Sequence, residues 1–152
     1  MTVRKSLIES MMKGTIENPQ KEKTEKILVV DDESSIRTLV KRFAEDQGYK
    51  NVSIFTESPV AYGELKKDHY SIAISDMELP DMTGVEMFNR IKLEKPALIT
   101  ILISGRLMTD GAREEVMAAN SGIDICISKP FSLEDFIEAL SLAQTSIEQE
   151  KK

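Results

Sequence analysis

Between Lys26 and Ala143 the chain alternates short unbroken apolar runs with stretches whose apolar residues recur every three or four positions. The runs "KILVV" (26–30), "NVSIF" (51–55), "YSIAIS" (70–75), "LITILIS" (98–104) and "DICIS" (124–128) read as five strands. Unbroken apolar character is what a parallel strand covered on both faces requires. Helical spacing follows each run. Ile36, Leu39, Val40 and Phe43 lead to Gly48, and "SPVAYGELKKD" carries Pro near its first turn. Val85, Phe88 and Ile91 precede Pro96, and Ala112, Val116 and Ala119 lead to Gly122. Phe136, Ile137, Leu140 and Ala143 mark the last helix. Strict alternation predicts an α/β fold, a flavodoxin-like doubly wound sheet of five parallel strands in the order 2-1-3-4-5 with five surrounding helices. Ligands of such sheets lie at the carboxyl ends of the strands, beside the point where strand order reverses.

Residues 1–25 break this pattern. Val3, Leu7, Ile8, Met11 and Met12 fit one side of an amphipathic helix that Gly14 could end, and "NPQKEKTEK" reads as a charged linker. The expected division is an N-terminal extension over 1–25, a main domain over 26–147 and a C-terminal tail over 148–152.

Composition narrows the chemistry. A chain of 152 residues buries enough surface to fold as one domain without a disulfide or metal staple. The single cysteine, Cys126, excludes an intramolecular disulfide and a cysteine-rich zinc cage, and the single histidine, His69, excludes a histidine-rich metal site. Oxygen-preferring cations remain open, because 26 acidic residues outnumber 20 basic ones. The net charge of −6 argues against direct nucleic-acid binding. No apolar run is long enough for a membrane span, and "MTVRKSLIESMMKGT" lacks a continuous signal-peptide core. The expected location is the cytoplasm.

The strand ends hold the candidate chemistry. Asp31, Asp32 and Glu33 follow the first strand, Asp76 follows the third, Ser104-Gly105 the fourth and Lys129-Pro130 the fifth. Each has an ordinary use: an aspartate caps a helix, Ser-Gly makes a turn, Lys-Pro makes a corner. Four strand ends carrying such residues together point to a shared pocket. Crowded carboxylates repel unless a cation joins them, and Mg²⁺ suits Asp31, Asp32 and Asp76. A carboxylate such as Asp76 can accept a phosphoryl group without a base. Mg²⁺, the Lys129 ammonium and the Ser104 hydroxyl would stabilise the charge that develops.

The motifs "ILVVDDE", "ISDMELPDMTG", "ILISG" and "SKPF", in this order and spacing, resemble those of response regulator receiver domains, the CheY-like family of two-component systems. The resemblance runs from about Lys26 to Ala143. It implies that Asp76 is the phosphoacceptor, with Asp32 binding Mg²⁺ directly and Asp31 through water. It implies further that the Glu78 backbone carbonyl is a ligand, that Ser104 and Lys129 contact the phosphoryl group, and that the Lys129–Pro130 bond is cis. Mn²⁺ is the alternative ion. A receiver is a phosphoacceptor that assists its own Mg²⁺-dependent phosphorylation and dephosphorylation, rather than a turnover enzyme. The implied partners are a sensor histidine kinase or phosphotransfer protein and a downstream effector protein, with no direct nucleic acid and no membrane.

Three departures from the family stand out. Cys126 occupies the position, three before the lysine, where relatives carry Tyr or Phe, so the usual aromatic readout is missing. Glu78 and Arg106, two beyond Asp76 and two beyond Ser104, could pair across the path of the water that hydrolyses the acyl phosphate. The chain ends at "SIEQEKK", so the expected output is protein contact through the face of the fourth helix, fifth strand and fifth helix, or relay of the phosphate. Three other readings compete. A haloacid-dehalogenase-type hydrolase would need Glu78 as its acid. A flavodoxin-like cofactor binder would place phosphate against Asp31 and Asp32. A phosphate-independent interaction module would keep the pocket as scaffold.

Overall fold

The computed structural model describes residues 1–11 and 22–150, with residues 10 and 11 as backbone only. In chain order the elements are β1 (Thr2–Val3), α1 (Lys5–Met11), β2 (Lys23–Val30), α2 (Ser34–Asp46), β3 (Tyr49–Phe55) and α3 (Ser58–Lys67). Then come β4 (Ile72–Asp76), α4 (Gly84–Glu94), β5 (Ile99–Ser104), α5 (Asp110–Ala119), β6 (Ile125–Ser128) and α6 (Leu133–Glu150).

The apolar runs become strands because successive side chains leave opposite faces, and both faces are covered. Ile27, Val29, Ile74, Ile101 and Ile127 pack with Val40 and Ala44 of α2 and Phe136, Leu140 and Ala143 of α6. Leu28, Val30, Ala73, Leu102 and Cys126 pack with Leu65 of α3, Phe88 and Ile91 of α4 and Met117 of α5. The core is thus two apolar layers separated by the sheet.

The sheet order is β1-β6-β5-β4-β2-β3. This corrects the expected five-stranded order: among the described residues the sheet has six strands, flanked by six helices, and it is mixed. The five strands from Lys23 onward pair in parallel, and β1 is added antiparallel to the β6 edge, with Thr2 opposite Cys126 and Val3 opposite Ile125. A two-residue strand is too short to show any period in sequence, so its pairing is visible only in the fold. Val3, expected on the helix, lies in this strand.

Residues 1–9 are tied down along their length. The Arg4 amide donates to the Asp124 carbonyl at 2.8 Å. Its guanidinium donates to the carbonyls of Ile123 (2.8 Å), Met117 (2.9 Å) and Asn120 (3.0 Å), around the carboxyl end of α5. A cation there is favoured by the negative end of the helix dipole. Helix α1 packs on α6, where Leu7 is buried in the core layer while Ile8 is exposed. Met12, Gly14 and most of the expected linker lie outside the described residues.

Replacing Leu7 by Ala removes apolar volume from that layer. The expected loss is about 2 kcal/mol of unfolding free energy in chemical denaturation; a loss near zero would show that Leu7 contributes nothing to the core.

Candidate functional site

Parallel register sets the heights of the functional residues. Val30 pairs with Ser75 and Asp76 with Ile103, so Asp31 and Asp76 emerge side by side where β2 and β4 end. Ser104 pairs with Ser128, which brings Lys129 beside Ser104, and the Lys129 amide donates to the Ser104 carbonyl at 2.8 Å. The Lys129–Pro130 bond is cis.

Asp31, Asp32 and Asp76 each present a carboxylate oxygen within 4.8 Å of the others. Asp31 and Asp76 are buried and Asp32 is exposed. The Lys129 ammonium stands 3.4 Å from Asp31 Oδ2 and 3.4 Å from Asp76 Oδ2, with Glu33 Oε1 at 3.8 Å. Asp31 Oδ1 accepts from the Glu33 amide at 2.8 Å, and Arg37 donates to the Asp31 carbonyl at 2.8 Å. Asp76 Oδ1 accepts from the Glu78 amide at a long 3.4 Å. Asp76 is the less well satisfied of the two buried acids.

Burial pushes the Asp31 and Asp76 carboxyls above the usual carboxylate range, against the pull of Lys129. The neighbouring acid raises each further: Asp76 acts on Asp31, and Asp32 on Asp76. Burial lowers Lys129, but attraction to Asp31, Asp76 and Glu33 outweighs it and the ammonium is held above its ordinary value. Three oxygen donors and one ammonium leave the cluster net negative, a donor set that fits a hard divalent cation.

Ser104 is fully buried, and its hydroxyl accepts from the amides of Arg106 (3.0 Å) and Leu107 (3.3 Å). Gly84 opens α4 directly over Asp76. A Cβ there would lie 2.4 Å from the Asp76 carbonyl and 2.9 Å from the Leu102 side chain, so only glycine allows this approach. Arg106 Nε meets Glu78 Oε1 at 2.5 Å, between the loops that follow β4 and β5. Asp81 is exposed in the following turn, at φ 71°. Cys126 is fully buried between β1 and β5, and burial pushes its thiol up to about 11. At neutral pH it is a small apolar side chain with no thiolate to react. His69 is exposed just before β4, at the opposite end of the sheet from Asp76.

Glu33, read in the sequence only as following the first strand, adds a third acid within reach of Lys129 beside Asp31 and Asp76. One residue was missed by sequence reasoning. Arg113 is 5% exposed and lies between Leu107 and Ser128, in the layer behind Ser104 and Lys129. Its signal was a charged residue one helical turn before the buried Met117.

These features define a doubly wound α/β domain whose strand ends gather an acidic pocket around one aspartate. The chain belongs to the response regulator receiver domain family, which it matches over residues 27–141. Chemotaxis protein CheY-3 of Vibrio cholerae serotype O1 is 30% identical over 121 residues, 78% of this chain and 90% of that protein. A probable transcriptional regulatory protein of Mycobacterium tuberculosis, TcrX, is 25% identical over 111 residues, 73% of this chain. The chain spans only 46% of the length of TcrX. Among solved structures, a CheY-like receiver domain protein from Methanospirillum hungatei superposes with a TM-score of 0.71 at 26% identity, covering 85% of this chain and 98% of that one. An uncharacterized protein from Neptuniibacter caesariensis reaches 0.75 at 26% identity, covering 87% and 96%. No helix among the described residues is long and apolar enough to cross a membrane.

The raised carboxyls have a consequence for stability. Asp76 binds its proton more tightly folded than unfolded, so its ionisation costs stability as pH rises through that window. Asp76→Asn removes this cost. In thermal melts near neutral pH the metal-free variant should melt higher than the parent, and Mg²⁺ should raise its Tm less; an unchanged Mg²⁺ response would remove Asp76 from the cation site.

Proposed function

We propose that the chain is a response regulator that accepts a phosphoryl group on Asp76 from a partner histidine kinase or phosphotransfer protein. The output is contact with a downstream effector protein or relay of the phosphate, in the cytoplasm. The receiver unit is taken as 26–147, preceded by the extension 1–25 and followed by the tail 148–152. The observation that carries the reading is Asp76 itself: a buried carboxylate at a strand end, 3.4 Å from a lysine and grouped with two further carboxylates.

Asp31, Asp32, Asp76 and the Glu78 carbonyl would hold Mg²⁺, or Mn²⁺ in its place, and that ion supplies charge neutralisation for the phosphoryl oxygens. The chain's own residues perform the rest. An Asp76 carboxylate oxygen forms the new O–P bond as the P–N bond to the donor imidazole breaks, and the bonding electrons leave with the imidazole nitrogen. The Lys129 ammonium and the Ser104 hydroxyl donate to the phosphoryl oxygens. The donor histidine comes from outside, because His69 lies at the wrong end of the sheet.

Incubation with Mg²⁺ and acetyl phosphate or phosphoramidate, followed by intact mass measurement, should give one phosphoryl adduct in the parent and none in Asp76→Asn. No adduct from any donor would favour the phosphate-independent interaction module. Turnover of a small phosphate ester would favour a hydrolase.

Glu78 and Arg106 act as a gate in this reading. Their exposure makes the pair weak as a source of stability, but its position shields the acyl phosphate from water. Glu78→Ala with Arg106→Ala should shorten the phosphoryl lifetime several-fold, measured by loss of adduct mass with time. An unchanged lifetime would dismiss the gate.

A further inference from the structure

We infer that the N-terminal strand is a phosphorylation-released clasp: Arg113 couples the docking of residues 1–4 on the β6 edge to the occupancy of the Asp76 pocket. The inference rests on the reading of Asp76 as phosphoacceptor and adds a regulated interaction edge to it.

Arg113 reaches both places at once. Its Nε donates to Thr2 Oγ1 at 2.8 Å, on the strand that closes the sheet edge. Its Nη1 donates to the Leu107 carbonyl at 3.0 Å and to the Ser128 hydroxyl, and its Nη2 pairs with Asp110. A guanidinium is a rigid planar fork, so a shift in one partner misaligns the bonds to the others.

Two of those partners border the pocket. The Leu107 amide donates to Ser104 Oγ, and Ser128 immediately precedes Lys129. The Ser128 hydroxyl also donates to the Leu107 carbonyl at 2.6 Å, which joins the two branches behind the site. When a phosphoryl group is present, the Ser104 hydroxyl and the Lys129 ammonium turn toward its oxygens. Ser104 then leaves the amides of Arg106 and Leu107, the 105–107 turn shifts, and Arg113 loses its alignment on Thr2.

The strand is built to respond. A strand of two residues holds few ladder hydrogen bonds, and short edge elements open at far lower free energy than core strands. The face it leaves, α5, β6 and α6, would then carry an unpaired strand edge, which is the surface a partner strand can join. The strand covers Cys126, which stands directly opposite Thr2.

Coupling is reciprocal: if pocket occupancy loosens the strand, loosening the strand must favour pocket occupancy by the same factor. Beryllofluoride with Mg²⁺ serves as the phosphoryl mimic. Amide hydrogen exchange read by NMR should show the Arg4 amide, bonded to Asp124, exchanging about tenfold faster with the mimic bound, while β4 amides keep their protection. Thr2→Val keeps a β-branched strand former but removes the acceptor. It should bind the mimic more tightly by a similar factor, and Thr2→Ser should restore the parent value. A merely structural Thr2 would leave mimic affinity untouched. Equal Arg4 protection with and without the mimic, or equal mimic affinity in Thr2→Val and the parent, overturns the clasp even where the Asp76 adduct forms. Failure of the parent both to bind the mimic and to form any Asp76 adduct overturns the phosphoacceptor reading and the clasp with it.

Discussion

Parallel pairing of β2 with β4 forces two buried carboxylates to the same height, and the rest of the site answers the repulsion that results. Two charges this close at an effective dielectric of ~20 interact by about 4 kcal/mol. Lys129, equidistant from Asp31 and Asp76, offsets much of that. It does not offset all of it, because burial still leaves both carboxyls above their ordinary range. The uncancelled charge makes the pocket receptive to a cation and makes Asp76 worth neutralising. Gly84 keeps the roof of the pocket low by letting α4 begin against the Asp76 carbonyl.

The two ends of the sheet divide the labour. At the amino ends of the strands, charges are buried and matched: Lys92 meets Asp124 at 2.9 Å, and Asp124 also takes the Thr100 amide at 2.9 Å. Lys92 also donates to the Leu98 carbonyl at 2.7 Å, and buried bonds of this kind rigidify the scaffold. At the carboxyl ends the acids outnumber their partners, and the close pair Glu78–Arg106 is exposed. Exposed pairs contribute little to stability, so its meaning is positional.

The segment before β2 changes the architecture more than its length suggests. Arg4 fastens it to the carboxyl end of α5, Leu7 to the core layer, and Arg113 to the loops behind Ser104 and Lys129. The same few residues therefore close an edge that would otherwise be open and touch the network behind the pocket.

The sequence by itself determined the five parallel strands, the helices between them and the placing of Asp31, Asp32, Asp76, Ser104 and Lys129 at the strand ends. Those features rest on local periodicity and on residue order at strand ends, both written in contiguous residues. Tertiary structure alone decided the sixth strand, the burial of Arg113 and the proximity of Glu33 to Lys129, and it brought together the Glu78–Arg106 pair that the sequence suggested. Each of these joins residues distant in the chain, and none leaves a periodic trace. The strand Thr2–Val3 is the clearest case. Two residues cannot declare a strand, and only the exposed edge of β6, more than a hundred positions later, gives them one to join.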